Sequence, residues 1–148
     1  MPKIHRSALM PYSAETMYRI VNDVVAYPDF LPWCGDSNIL AQDETSMHAS
    51  VLITKGKLNH WFSTSNRLEE NRTIDMQLID GPFKKLEGKW QFHHLDAESC
   101  KIELDLEFEF SFGLASALLT PIFSQIANTM VDSFCERARI IHERQTSD

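Results

Sequence analysis

The sequence predicts an α+β fold in which a curved, seven-stranded antiparallel sheet closes over one long C-terminal helix. Three observations predict it. Residues 102–112, Ile-Glu-Leu-Asp-Leu-Glu-Phe-Glu-Phe-Ser-Phe, alternate without a break between apolar even positions and polar odd ones. A period of two belongs to a strand with one dry and one wet face. Directly after it, Leu119, Phe123, Ile126, Met130, Phe134, Ala138 and Ile141 recur at helical spacing within residues 114–144. That spacing puts them on one apolar stripe. Finally, strand-like runs from residue 36 onward are joined by short polar turns, which favours an antiparallel meander over a parallel α/β sheet.

Each element follows in order. Residues 3–10 read as the first strand, ended by Pro11. Ser13 is a helix N-cap for residues 14–23, with Glu15 in the first turn and Ala14, Met17, Tyr18 and Val21 on the buried stripe. A second short helix starts at Pro28, since proline suits a first turn, and Pro32 limits its length. Strands then follow over 36–43, 46–55, 59–69, 73–80, 86–95 and 99–112. Asp43-Glu44-Thr45, Glu70-Asn71-Arg72 and Asp96-Ala97-Glu98 supply polar turns, and Gly81-Pro82 breaks another join. The register of 59–69 stays open: either Phe62, Thr64, Asn66 and Leu68 face inward, or Trp61, Ser63, Ser65 and Arg67 do. Two short helices after strand 1, the sheet and the long helix make a helix-grip architecture. The whole, residues 1–148, reads as one domain with an ordered part over 3–144.

Composition narrows the function. Apolar residues make up 43% and aromatic residues 10% of the chain, as in a soluble globular protein with room for a core. No segment has the ~18 apolar residues of a bilayer span, and the start, Met-Pro-Lys-Ile-His-Arg, lacks a secretory signal. Cys34, Cys100 and Cys135 are odd in number and form no Cys-x-x-Cys pair, so they read as reduced thiols without a metal or disulfide framework. A formal charge of −7 is a poor footprint for DNA or for general RNA binding, which relies on Lys and Arg. Lys84, Lys85 and Lys89, with Lys55 and Lys57, fall at or near hairpin ends and form the candidate basic surface.

Nothing in the sequence assembles a catalytic site. Glu103, Asp105, Glu107 and Glu109 are in phase with the wet face of their strand, opposite Phe108, Phe110 and Phe112. His93 and His94 are adjacent on a strand and point to opposite faces, so they cannot share one metal. No metal-binding helix motif, nucleophile elbow or phosphate loop occurs. The expectation is therefore a non-enzyme, with no required cofactor and no metal.

Three blocks carry a family resemblance. Tyr27-Pro28-Asp29-Phe30-Leu31-Pro32-Trp33-Cys34 is a stiff aromatic turn; Gly81-Pro82-Phe83-Lys84-Lys85-Leu86 leads to Trp90-Gln91-Phe92; and Phe108-Glu109-Phe110 precedes a helix with Met130-Val131, Phe134 and Arg137-Ala138. Together they resemble the START-like coenzyme-Q-binding family, over residues 4–143. The resemblance implies a helix-grip fold with a hydrophobic cavity for ubiquinone or another polyprenyl lipid, in support of respiratory electron transfer. It also implies, in some members, binding to the large ribosomal subunit and a block on subunit joining. Related members are polyketide cyclases or dehydratases. A bacterial cytoplasmic protein fits a chain that begins near its first strand, and a transient membrane contact fits a lipid ligand.

On the cavity reading, Phe62, Met76, Phe83, Trp90, Phe92, Phe108 and Phe110 form the sheet wall. Phe123, Ile126, Met130 and Phe134 form the helical wall, and Tyr27, Phe30, Leu31 and Trp33 the mouth. Met17, Met76 and Met130 add deformable side chains suited to a flexible guest. Lys84, Lys85 and Lys89 are the candidate ribosome-facing surface. The same apolar side chains could instead interlock into a solid core, and the structure decides between the two.

Overall fold

Parity along the strands sets the architecture. Strands β1 (Lys3–Met10), β2 (Cys34–Gln42), β3 (Ser46–Lys55), β4 (Leu58–Glu69), β5 (Thr73–Asp80), β6 (Phe83–Asp96) and β7 (Ser99–Phe110) form one antiparallel sheet. Their order is β1-β7-β6-β5-β4-β3-β2, so the first strand pairs with the last. The computed structural model describes residues 2–111 and 113–146, without the side chains of residues 113–116, 145 and 146. Phe112, which the alternation places on the dry face, lies outside the described residues.

Across the β1–β7 pair, Ile4 opposes Leu106, Ala8 opposes Ile102 and Met10 opposes Cys100. Apart from Arg6, which opposes Leu104 and reaches Asp132 of the C-terminal helix, one face of both strands is thereby apolar, and Ile102, Leu104 and Phe108 are wholly buried on it. On the other face His5 opposes Asp105 and Ser7 opposes Glu103, so the carboxylates face outward as their phase requires. The register of β4 is now fixed. Phe62 opposes Val51, Thr64 opposes Ala49 and Asn66 opposes Met47, all inward. Trp61, Ser63 and Arg67 face outward.

Helix α1 (Ala14–Asn22) is capped by Ser13, whose Oγ accepts the Thr16 N–H at 3.1 Å. It buries Ala14, Met17, Tyr18, Ile20 and Val21. A 3-10 turn over Val24–Ala26, not marked by any sequence pattern, leads into α2 (Tyr27–Phe30), with Pro28 in its first turn. Helix α3 (Gly113–Thr146) contains Pro121, which removes one N–H from the hydrogen-bond ladder. Burial of Phe123, Ile126, Ala127, Val131, Phe134 and Ala138 holds α3 on the sheet. Each large apolar side chain buried in this way contributes ~1.5–3 kcal/mol.

Boundaries shift where tertiary pairing extends a strand. β6 begins at Phe83, three residues before the pattern suggests, because Phe83 pairs with Phe110 ahead of a bulge. Gly-Pro breaks the chain only at the turn itself. Gly81 has φ of +150°, and a Cβ there would lie 2.7 Å from Phe62 Cβ, so only glycine fits. β2 begins at Cys34, which pairs with Ile53, and β7 stops at Phe110.

Candidate functional site

The concave face of the sheet and the apolar stripe of α3 meet through two groups of rings. In the first, Phe83 stacks on Phe110 at 4.6 Å between ring centroids, and Phe123 packs edge-on against Phe108 at 4.7 Å and Phe83 at 5.1 Å. In the second, Phe134 takes the edges of Trp90 at 5.4 Å, Tyr27 at 5.4 Å and Phe30 at 5.5 Å. Phe92 joins it through Trp90 and through Tyr18 of α1. These are the edge-to-face distances of close-packed aromatic pairs. Phe108, Ile126 and Phe134 are at most 1% exposed, so no water-sized space adjoins them. Both ring groups are solid.

Beside them the covering is incomplete. Met130 sits in the middle of the buried stripe of α3, flanked by Ile126, Ala127 and Phe134, yet it is only partly buried. Phe62, Met76 and Leu78, inward on β4 and β5, are likewise partly buried, as are Leu119 and Ile122 on α3. Two inward polar side chains accompany this strip: Thr64 and Asn66 are buried, and Thr64 Oγ1 donates to Asn66 Oδ1 at 2.8 Å. Thr64 lies opposite Leu78, and Asn66 opposite Met76. Sequence reasoning left this pair open, because one strand's alternation cannot say which of two mixed faces is inside. The inward Met47, Ala49 and Val51 of the neighbouring strand carry the missing signal.

The loop that the sequence reading places at a cavity mouth is sunk into the fold. Leu31 and Trp33 are buried, while Tyr27 and Phe30 are partly covered. Tyr27 Oη donates to the Val21 carbonyl, and burial pushes its phenol well above the usual tyrosine range. The Arg137 guanidinium lies 4.9 Å over the Phe30 ring. Thr54 N–H donates to the Trp33 carbonyl at 2.7 Å and ties the loop to β3. The indole Nε1–H of Trp33 and the Oδ1 of Asn22 are buried without a hydrogen-bond partner. Buried unpaired polar atoms are uncommon and costly.

Three surface hollows lie elsewhere. One of about 840 Å³ runs over the outer face of the sheet between Lys3, Arg67, Asp75 and Lys89. Another of about 600 Å³ lies between α1 and the end of α3, near Phe30 and Arg137, and a third of about 710 Å³ borders Phe92 and His93. None is lined by Phe108, Phe110, Phe123 or Met130, though Met76 borders the first.

Among the described residues, His5, Glu103 and Asp105 come within reach of one metal ion. Their atoms are already engaged: His5 Nδ1 is 2.6 Å from Asp105, and Glu103 is 3.3 Å from Lys101 and 3.2 Å from His93. The trio is better described as an ion-pair ladder on the wet face. Burial pushes the Cys34 and Cys100 thiols up to about 11 and raises Cys135 too, so none is a ready nucleophile at neutral pH. Of the candidate basic surface, Lys85 lies 3.3 Å from Glu107 and Lys89 4.0 Å from Asp75. Lys84 is exposed and outside any ion pair among the described residues.

Comparison with known proteins places this geometry in a family. Residues 10–135 match the family described as polyketide cyclase / dehydrase and lipid transport. The chain is 48% identical over 139 residues to a Pseudomonas aeruginosa protein named ribosome association toxin RatA, covering 94% of this chain and 96% of that one. It is 27% identical over 143 residues to the mitochondrial coenzyme Q-binding protein COQ10 homolog B of Xenopus laevis, covering 94% of this chain and 59% of the relative. Among solved structures, the Zhui aromatase/cyclase of Streptomyces sp. R1128 superposes with a TM-score of 0.82 at 15% identity, covering 93% of each chain. A START superfamily protein of Mycobacterium smegmatis does so at 0.79 and 21%, covering 94% of this chain and 98% of that one. At those identities the structures speak for the fold alone. Pattern, register and relatives agree that this chain, a seven-stranded sheet with its long C-terminal helix, belongs to the polyketide cyclase / dehydrase and lipid transport family.

Proposed function

We propose that the protein is a non-catalytic, cytoplasmic binder of a long apolar ligand with a carbonyl-bearing head, the class that ubiquinone and other polyprenyl quinones represent. The observation that carries this reading is the partial burial of the inward Phe62, Met76 and Leu78 on the sheet face that holds the Thr64–Asn66 pair, with Met130 likewise only partly buried on α3. An apolar wall with a few polar anchors is the usual make-up of a small-molecule site. With Asn66 Oδ1 taken by Thr64, what Asn66 offers a guest is its amide N–H. The unpaired indole N–H of Trp33 is a second donor without an acceptor. Both suit a quinone carbonyl, and neither suits acid–base chemistry. The ring groups are closed, so on this reading the ligand enters by displacing the partly buried side chains beside them, the deformable methionines first. Organic extraction of native protein with mass spectrometry, then titration of stripped protein with a short-chain ubiquinone, tests the reading. A bound prenyl quinone is expected; no ligand in either experiment sinks it.

A second reading, association with the large ribosomal subunit, is favoured by the name, ribosome association toxin, that several relatives at 45–48% identity carry. It would use the outer surface, and the two roles are compatible. Lys84 is the residue to test, since Lys85 and Lys89 are already neutralised by carboxylates. Sedimentation of cell extract through sucrose, with wild type and Lys84→Glu compared, checks it. Cosedimentation with the large subunit is expected on this reading, and its absence removes it.

A further inference from the structure

Asn66 is out of place on the inner face of β4. Its partners on the two neighbouring strands are Met47 and Met76, and the residue is only 5% exposed. Asparagine is depleted in strands, and a buried amide needs partners for both its oxygen and its nitrogen. Thr64 Oγ1 serves the oxygen, donating to Asn66 Oδ1 at 2.8 Å. Among the described residues the Asn66 amide nitrogen donates to nothing. Ser50, the other buried polar side chain among them, is on the outer face of the sheet, 2.6 Å from Ser63.

The direction of the Thr64–Asn66 bond sets what the pair can recognise. Threonine has a single hydroxyl proton, and here it is committed to Asn66. The Asn66 carbonyl is therefore turned toward Thr64 and its N–H groups away from it. A guest that lies against Met76 meets a donor. The Trp33 indole, buried without an acceptor, can also only donate. The buried acceptor left unpaired among the described residues, Asn22 Oδ1, belongs to the last residue of α1 and not to the sheet.

We propose that the site takes the oxidised quinone and discriminates against the quinol, a choice that rests on the ligand reading above and narrows it to one redox form. A quinone oxygen only accepts, so it satisfies the Asn66 N–H and leaves no proton of its own unpaired. A quinol hydroxyl can accept the same N–H, but its own proton must then find an acceptor. One hydroxyl cannot accept from an amide nitrogen and donate to the oxygen of that amide in good geometry. Thr64 Oγ1 lies on the oxygen's side and is no better placed. The quinol thus buries an unmet donor. Sites built on hydrogen bonds reject wrong donor patterns by this penalty, which at its low end is roughly tenfold in affinity. Tighter binding of the oxidised form also makes the bound quinone harder to reduce. Tenfold corresponds to a midpoint potential about 30 mV more negative for a two-electron couple.

Equilibrium dialysis of stripped protein against decylubiquinone and, under argon, against decylubiquinol measures the choice. A redox titration of the bound couple measures it independently. The expected result is quinone bound about tenfold tighter or better, with the midpoint potential lowered to match. Thr64→Val/Asn66→Leu removes donor and acceptor together and leaves no orphan, so it should keep its thermal stability. It should bind both forms equally, through the tail they share. Thr64→Val alone frees the amide to turn its oxygen to the guest, and should shrink the ratio by admitting the quinol. Equal affinity of the wild type for the two forms, or tighter binding of the quinol, overturns the proposal and leaves the ligand reading standing. A double variant that still discriminates overturns it too, because the choice is then made elsewhere. Binding of neither form takes down the ligand reading and the redox choice together.

Discussion

Phe110→Ala and Met130→Ala form a pair whose outcomes separate a solid core from a ligand-accepting strip. Phe110 is 3% exposed and packs on three rings: Phe83 at 4.6 Å, with Phe108 and Phe123 both at 6.0 Å. Truncating such a ring leaves a cavity that its neighbours, themselves locked by rings, cannot fill, and costs ~3–5 kcal/mol. For a domain of this size that is a fall in midpoint of about 6–20 °C, at ~2–4 °C per kcal/mol. Met130 is only partly buried, so its truncation removes less surface and costs about 1 kcal/mol. Its effect should fall on ligand loading, which should drop severalfold. Urea unfolding followed by tryptophan fluorescence gives the stability of both variants, and extraction with mass spectrometry gives the loading. If Phe110→Ala costs less than Met130→Ala, the ring groups are not closed as described above. If Met130→Ala leaves loading unchanged, the strip is not where the ligand lies.

The remaining expectations are narrower. Trp33→Phe removes a buried donor that has no acceptor, so it should leave stability unchanged or raise it, by up to ~1–3 kcal/mol. On the ligand reading it should also weaken a quinone more than a prenyl chain without carbonyls, as titration of each will show. Gly81→Ala puts a Cβ 2.7 Å from Phe62 Cβ at a positive φ and should cost about 2 kcal/mol in denaturant unfolding. The thiols of Cys34 and Cys100, pushed up to about 11 by burial, favour the fold only while neutral. Their contribution is complete below the unfolded thiol value of ~8.5. It is lost as pH climbs toward 11, and the raised Tyr27 phenol extends the loss further up. Unfolding free energies measured from pH 7 to 11 should therefore be flat at first and then decline.

Strand and helix identity was legible because the patterns are long. The alternation from Ile102 to Phe110 needs no context to show its faces, and burial follows it position by position. Ser13 likewise announces α1 by a local hydrogen bond. What stayed hidden depends on neighbours in space. Phe83 extends β6 because Phe110 is opposite, a pairing that joins residues far apart in the chain. Lys85 and Lys89 look basic in sequence, but their strand face also holds Glu107 and Asp75, whose carboxylates offset them. Trp33 reads as a rim residue from its proline-flanked turn. Only the anchoring of that turn to Thr54 shows why the indole is buried.

A closed interior limits how a lipid can be bound from water. If the form able to accept the ligand is a minor state, the apparent affinity falls by that state's fraction. A five-carbon isoprene unit buried in full contributes ~4 kcal/mol, at ~0.8 kcal/mol per methylene-sized group. One unit thus offsets an opening equilibrium of about one in a thousand, since 4 kcal/mol is roughly a factor of 10³. The closed rings therefore do not forbid binding; they require a tail long enough to repay their separation. A free head group, or a tail shorter than one unit, should be rejected. A membrane lowers the threshold only if its surface holds the open state more tightly than the closed one.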